Sequence, residues 1–151
     1  MTLNLLTVSA KSRYAVVGLV ELAGREQAAP GRPVRLADLA AARSIPEQFL
    51  VQVFAELRRA GVVASRRGAA GGYTLARPGE HLTVLEVMQA LDGSSPLSRC
   101  TGGERGSPEA EGVSSVWLEA QEALESVLAQ TTIAALYERE QRALKTVMYH
   151  I

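Results

Sequence analysis

The fold is decided by residues 61–75, which read Gly-Val-Val-Ala-Ser-Arg-Arg-Gly-Ala-Ala-Gly-Gly-Tyr-Thr-Leu. Two short runs within and just beyond this stretch, 62–67 and 73–76, include β-branched and aromatic residues, and only small residues separate them. The pattern predicts two antiparallel strands joined by a thin, flexible loop. A phosphate-binding loop is rejected, because the Gly-rich stretch has no Lys-Ser or Lys-Thr pair and joins two strands instead of leading into a helix.

Two helices are predicted at the start of the chain, upstream of this hairpin. Ser9 is placed to cap the first helix, which runs to about Arg25 and carries apolar residues at helical spacing. Prolines and a glycine in 30–33 then break the chain. A second, shorter helix is predicted over roughly residues 36–42.

A third helix is predicted directly before the hairpin. Pro46 favours a helix start because its φ is already helical, and Ser44 with Glu47 resembles a capping box. Gly61 is placed to end the helix. The stripe that this helix is expected to bury consists of Leu50, Val53, Phe54 and Leu57.

A second capping-box pattern follows the hairpin. Thr83 with Glu86 predicts the start of a fourth helix, and Asp92-Gly93 predicts its end. Three helices followed by a hairpin is the order of a winged helix-turn-helix. We therefore predict that residues 1–93 form a winged helix-turn-helix DNA-binding domain.

The remainder of the chain has a different pattern. Residues 94–112 are rich in Gly, Ser, Pro and charge, which predicts a flexible loop of the kind that carries a sensor. Residues 113–151 are predicted to form a helical dimerisation region, interrupted at Thr131-Thr132. The first of its helices has apolar residues at spacings of 4, 3, 4 and 3, a seam for a partner helix made by Val113, Trp117, Ala120, Leu124 and Val127.

Packing of this seam on the chain's own N-terminal domain is the alternative interpretation. The fold class predicted for the whole chain is mainly α with a small β-hairpin wing. It is a winged helix-turn-helix followed by a long C-terminal dimerisation helix.

Charge is distributed unevenly along the 151 residues, although the 16 basic and 16 acidic side chains cancel. Residues 1–79 carry 11 Lys and Arg against 5 Asp and Glu, a net charge of +6, and residues 80–151 carry 5 against 11, a net charge of −6. A basic half beside an acidic half indicates that the first half meets a polyanion.

Several classes of function are excluded or disfavoured by composition. The sequence has no run of about 18 apolar residues, so no membrane span or membrane partner is expected. Its start lacks the features of a signal peptide, and a single cysteine forms no intramolecular disulfide, so a cytoplasmic protein is expected. His81 and His150 each lack a recognisable nucleophile or carboxylate partner, and we expect no enzymatic activity.

Candidate DNA contacts follow from this fold. In the third helix Gln48, Val51 and Gln52 lie off the buried stripe, and glutamine can pair with adenine in the major groove. The alternative is a merely solvated helix face. Basic side chains suited to phosphates or a narrow minor groove stand in the first helix and the wing, namely Lys11, Arg13, Arg66 and Arg67, with Gly71 in the thin wing loop.

Four motifs, 11–15, 45–50, 57–63 and 67–73, give the chain a resemblance to the Rrf2 family of winged-helix transcription regulators. The resemblance covers almost the whole chain and includes Leu91-Asp92-Gly93 and Trp117. It implies a homodimer bound to a palindromic promoter site, usually as a repressor. By position it implies recognition-helix contacts at Gln48, Phe49, Val51 and Gln52, a wing contact at Arg67, and DNA-backbone contacts at Ser9, Lys11 and Arg13.

The chain departs from cluster-binding members of this family in its cysteines. Those members place three cysteines before the tryptophan of the long helix, whereas Cys100 stands alone here. An iron–sulfur cluster needs about four such ligands, so we expect no cluster, no other cofactor and no metal site. Cys100 is either inert or a candidate redox thiol.

A second function is kept open. The winged helix could serve as an interaction module that docks a partner enzyme and binds little DNA. A small molecule or a partner protein also remains a candidate source of the signal.

Overall fold

The computed structural model describes residues 8–93 and 108–150. Its elements follow the order predicted for a winged helix-turn-helix with a helical extension, which confirms the fold class. They are α1 (Ala10–Ala28), α2 (Leu36–Arg43), α3 (Glu47–Arg59), β1 (Val63–Arg66), β2 (Gly72–Leu75), a short 3-10 turn (Gly79–His81), α4 (Val84–Asp92), α5 (Pro108–Gln130) and α6 (Ile133–Tyr149).

The turn between α2 and α3 differs from its prediction. Ser44 adopts a left-handed conformation with φ of 52° and closes α2, so the predicted capping box of Ser44 with Glu47 is wrong. No side chain caps α3, whose cap residue is Pro46. The reason is the short connection between the two helices. The buried Ile45 donates its backbone N–H to the Ala40 carbonyl at 2.9 Å, and no residue is left free to cap α3.

Both capping motifs that stand at isolated helix starts are confirmed. The Ser9 hydroxyl accepts the Ser12 N–H at 3.1 Å at the start of α1. In α4, the Thr83 hydroxyl accepts from the Glu86 N–H at 3.2 Å, and the Glu86 carboxylate accepts from the Thr83 N–H at 3.0 Å. This backbone hydrogen bond is the main reason that the pKa of Glu86 is lowered. Gly93 ends α4 in the left-handed conformation.

The sheet extends beyond the two predicted strands, because a further segment pairs with β2. β1 and β2 pair antiparallel with Ser65 opposite Tyr73 and Arg66 opposite Gly72. On the other edge of β2, Val34 exchanges two backbone hydrogen bonds with Tyr73, at 2.8 and 2.9 Å. The loop between α1 and α2 therefore joins the sheet, and Gly72 permits this, since a Cβ there would lie 2.5 Å from the Val34 carbonyl oxygen.

The core lies between the helices and the base of the hairpin. The predicted stripe of α3 is confirmed, with all four of its residues at most 1% exposed. Phe54 packs edge-on against Tyr73, with ring centroids 5.3 Å apart, and lies against Gly18 of α1. The helix α3 is thus held by both α1 and the sheet.

The first C-terminal helix begins earlier than predicted. α5 starts at Pro108, five residues before the predicted start at Val113. Proline suits this first position because the N–H that it lacks would have no acceptor within the helix there. Residues 94–107, which include Cys100 and most of the predicted sensor loop, lie outside the described residues. At the predicted interruption, Thr132 caps α6 by accepting from the Ala135 N–H at 3.1 Å.

The junction between α5 and α6 packs on the winged helix. Val84 donates its N–H to the Thr131 carbonyl and Ile133 donates to the Leu82 carbonyl, each at 2.9 Å. Ile133 is fully buried, and α6 then runs along α1. None of the described helices is both long and apolar enough to span a bilayer.

Candidate DNA-binding surface

The N-terminal half of α3 presents a free polar face. Gln48, Val51 and Gln52 are all exposed, while the opposite stripe of the same helix is buried. Neither glutamine side chain has a hydrogen-bond partner within residues 8–93 and 108–150. Two amides without partners on an exposed recognition helix are available to hydrogen-bond with base edges.

Phe49 is positioned differently from its predicted neighbours. It is half-buried and meets Tyr14 of α1 edge-on, with ring centroids 5.3 Å apart. Tyr14 itself is 37% exposed, so it extends the surface next to the glutamines. Sequence reasoning did not propose Tyr14, because only the packing of α1 on α3 brings its ring to this face.

The start of α1 is tied to α3 and α4. Lys11 forms an ion pair with Glu56 of α3 at 3.1 Å, and the Ser9 hydroxyl contacts the Asp92 carboxylate at 3.3 Å. The buried Ser12 also donates to Asp92, at 2.7 Å. Of the three DNA-backbone contacts predicted in this region, Arg13 is the one whose side chain is exposed and unpaired in the described part of the chain.

The wing carries exposed arginines on a compact loop. Arg66 and Arg67 are both exposed, and their side chains form no ion pair in the described ranges. A side chain at Gly71 would overlap the carbonyl oxygen of Arg66, so only glycine allows the tip to turn this tightly. Arg58 of α3 donates to Ser65 of β1 at 3.1 Å, which links the recognition helix to the wing.

An ion-pair network lies behind this surface, where α1, α2 and α6 meet. Arg43, the last residue of α2, binds Glu140 of α6 through two hydrogen bonds, at 2.7 and 2.9 Å, and Glu21 of α1 at 2.8 Å. The bond to Glu140 is the largest favourable influence that raises the pKa of Arg43. Burial raises the pKa of Glu21, but Arg25 and Arg43 together outweigh it and leave that pKa below its ordinary value.

A metal centre is not formed by the part of the chain that the structure covers. Within residues 8–93 and 108–150 no three His, Cys, Asp or Glu side chains come together as ligands. Cys100, the candidate redox thiol, is outside these ranges, so its role stays a prediction.

The apolar seam predicted on α5 is partly covered by the rest of the chain and partly exposed. Val113, Trp117 and Val127 are 57%, 41% and 62% exposed. Leu124 is partly covered, on a helix that contacts α4. Val116, which the spacing argument omitted, is 57% exposed and belongs to the uncovered side.

A winged helix with a free recognition face and an arginine-bearing wing defines the class of protein as a DNA-binding transcription regulator. The comparisons with known proteins agree. Residues 8–139 match the Rrf2 family, described as iron-dependent transcriptional regulators. The chain belongs to this family.

Individual relatives match most of their length. A helix-turn-helix regulator of Mycobacterium tuberculosis is 41% identical over 129 residues, 84% of this chain and 78% of that protein. The regulator IscR of Cereibacter sphaeroides is 34% identical over 144 residues, 93% of this chain and 92% of that protein. The structure of CymR, the global cysteine regulator of Bacillus subtilis, superposes with a TM-score of 0.76 at 29% identity, covering 89% of this chain and 98% of that one.

Proposed function

We propose that this protein is a cytoplasmic, homodimeric repressor that binds a palindromic promoter site and carries no iron–sulfur cluster. The observation that best supports this proposal is that one protomer has two free surfaces, the glutamine face of α3 and the wing arginines. The elements that carry them are linked by the hydrogen bond from Arg58 to Ser65. Glutamines suit base edges and arginines suit phosphates or the minor groove. One protomer thus has the parts for one half-site.

Dimerisation is supported by the uncovered side of α5. Val113, Val116 and Val127 are all more than half exposed and lie on one helix, which is an apolar patch of the kind found at protein interfaces. A second copy of the same chain, related by a two-fold axis, would cover it with an identical patch. Two half-sites related by that axis form a palindrome. Their spacing is expected to be about one helical turn of DNA or a multiple of it.

The test of DNA binding begins with selection of duplexes from a random pool by the purified protein. The enriched site is expected to be palindromic. Gln48→Ala and Gln52→Ala should each relax base preference by roughly 1–3 kcal/mol at the contacted position. Arg67→Ala should weaken binding to all sequences and reduce the salt dependence.

The matched control is Arg139→Ala, which removes an exposed arginine of α6 far from the wing in sequence. It should leave affinity and site preference unchanged. If the wild-type protein enriches no duplex while remaining folded, the DNA-binding function is wrong and the protein-docking alternative takes its place.

The absence of a cluster is proposed from the cysteine count, since one thiolate per chain is too few ligands. Protein purified without oxygen should be colourless and free of stoichiometric iron and acid-labile sulfide. A visible absorption band with bound iron would contradict this part of the proposal.

The signal is then a thiol reaction of Cys100, a small molecule or a partner protein. DNA affinity of the parent and of Cys100→Ser, each with and without mild peroxide, distinguishes the first from the others. A peroxide effect that the substitution abolishes assigns the signal to the thiol. Equal affinity in all four conditions assigns it to a ligand or a partner.

A further inference from the structure

A cleft of about 850 Å³ lies between the wing and the loop that joins α1 and α2. One wall is the loop between α1 and α2, including Arg32, and the other is formed by Arg66 and residues 69–71 of the wing. The two walls belong to one small sheet, because Val34 of the loop pairs with Tyr73 of β2. We refer to this feature as the wing cleft.

The lining of the wing cleft has a surplus of positive charge. It includes four arginines and one carboxylate, that of Asp38. Arg35 is paired with Asp38 at 3.0 Å, and Arg25 is paired with Glu21 at 2.8 Å. The two remaining arginines, Arg32 and Arg66, have no carboxylate partner within residues 8–93 and 108–150.

The sheet register directs one wing arginine to this cleft. Arg66 stands opposite Gly72, which has no side chain to occupy the space beside it. Arg66 lines the cleft, and Arg67 is not among its lining residues. The two adjacent wing arginines therefore lie in different surroundings, and only Arg66 faces the wing cleft.

The start of α2 adds to the same field. Arg35 is the cap residue of this eight-residue helix and no side chain hydrogen-bonds to its first amides. The positive end of a helix dipole favours an anion nearby. Together with two unpaired guanidinium groups, which match phosphate oxygens in geometry, this favours a phosphate in the cleft.

We propose that the wing cleft is a second phosphate site, which binds the DNA backbone that flanks the half-site beyond the wing. The proposal rests on the proposed DNA-binding function and extends it. β1 is linked to α3, and the loop with Arg32 lies on the opposite edge of β2. The recognition helix and the wing cleft thus lie on the two sides of the wing, and a duplex that the wing contacts continues past both.

The experiment compares two duplexes that carry the selected site. One ends at the outer base pairs of the half-sites, and the other continues about one helical turn further on each side. Affinity is measured by fluorescence anisotropy over a series of salt concentrations for the wild type, Arg32→Gln and the double variant Arg32→Gln/Arg66→Gln. Arg139→Gln, the same change on exposed α6, is the matched control.

On the long duplex, Arg32→Gln should weaken binding roughly three- to tenfold and lower the salt slope by about one for each phosphate that the protein no longer neutralises. On the short duplex Arg32→Gln should equal the control. The double variant should bind the long duplex more weakly still. If Arg32→Gln equals Arg139→Gln on both duplexes, the proposal is overturned.

A second measurement separates a DNA phosphate from a free phosphate compound. DNA-free protein is titrated with inorganic pyrophosphate in a calorimeter. Tight binding that Arg32→Gln abolishes, without an effect on either duplex, would assign the cleft to a small phosphate compound and overturn the DNA assignment. Failure of the proposed function itself looks different, since the wild type would then bind neither duplex.

Discussion

The helices α3 and α5 carry similar apolar stripes that meet opposite surroundings. In α3, Leu50, Phe54 and Leu57 are fully buried by the chain's own helices and sheet. In α5, Val113 and Val127 of the predicted seam are more than half exposed. Helical spacing predicts an apolar face in both cases, but it contains no information on whether the same chain covers that face.

The two stripes contribute to two kinds of stability. The stripe of α3 stabilises the monomer's fold, because its burial depends on residues of the same chain. The uncovered side of α5 contributes to stability only when another surface removes it from water. Substitutions in the two stripes should therefore be detected by different measurements.

The largest effect is expected from Phe54→Ala in α3. Phe54 is fully buried and packs on Tyr73 and Gly18, so truncation leaves a cavity and should lower the free energy of unfolding by about 3–5 kcal/mol. Urea denaturation measures it. Val51→Ala, on the 46% exposed opposite face, should change the same quantity by less than about 0.5 kcal/mol. Equal effects of the two substitutions would show that α3 is not held as described.

A smaller effect is expected from Val127→Glu in α5. It places a charge in the uncovered apolar side and should raise the dimer dissociation constant by roughly tenfold or more, with little change in helix content. Sedimentation measures the dissociation constant. Ala129→Glu adds the same charge two residues away, roughly opposite on the helix, and should leave the dimer intact. A dimer of unchanged affinity in Val127→Glu would mean that this side of α5 is not the interface.

The smallest effect is expected where α6 meets the winged helix, at Glu21. Its folded-state pKa lies below the ordinary value of 4.5, so its ionised form stabilises the fold above that pH and the contribution is lost as the pH falls through the lowered pKa. Glu21→Gln should cost about 1 kcal/mol near pH 6 and less near pH 3.5. Urea denaturation at both pH values checks this. Glu119→Gln, an exposed carboxylate of α5, should show no such difference, and a cost for Glu21→Gln that is independent of pH would contradict the argument.

Local signals in the sequence predicted most of the fold correctly. The cap residue Ser9, the capping pair of Thr83 with Glu86 and the glycines at 61 and 93 act within a few residues, and each marks a boundary that the structure has. Ser44 with Glu47 has the same spacing as a capping pair and predicted a bond that is not there. The difference is that Ser44 also ends a preceding helix, a constraint that the motif alone does not express.

Long-range contacts account for what the sequence could not predict in the candidate site. The pairing of Lys11 with Glu56 and of Val34 with Tyr73 joins residues far apart in the chain. The exposed glutamines of α3 were predicted, since they follow from the period of one helix. Arg32 was not, because only the pairing of Val34 with Tyr73 brings its loop to the same cleft as Arg66.

The tight junction after α5 has a consequence for the spacing of the two DNA half-sites. Two backbone hydrogen bonds join residues 82–84 to residues 131–133. They restrict rotation of the end of α5 relative to the DNA-binding domain. With 23 residues, α5 is about 34 Å long, close to one turn of B-form DNA. In the proposed dimer, the fixed length of α5 therefore sets the separation of the two recognition helices. Operators whose half-sites differ by one or two base pairs in spacing should then be distinguished by this geometry, independently of contacts with the bases.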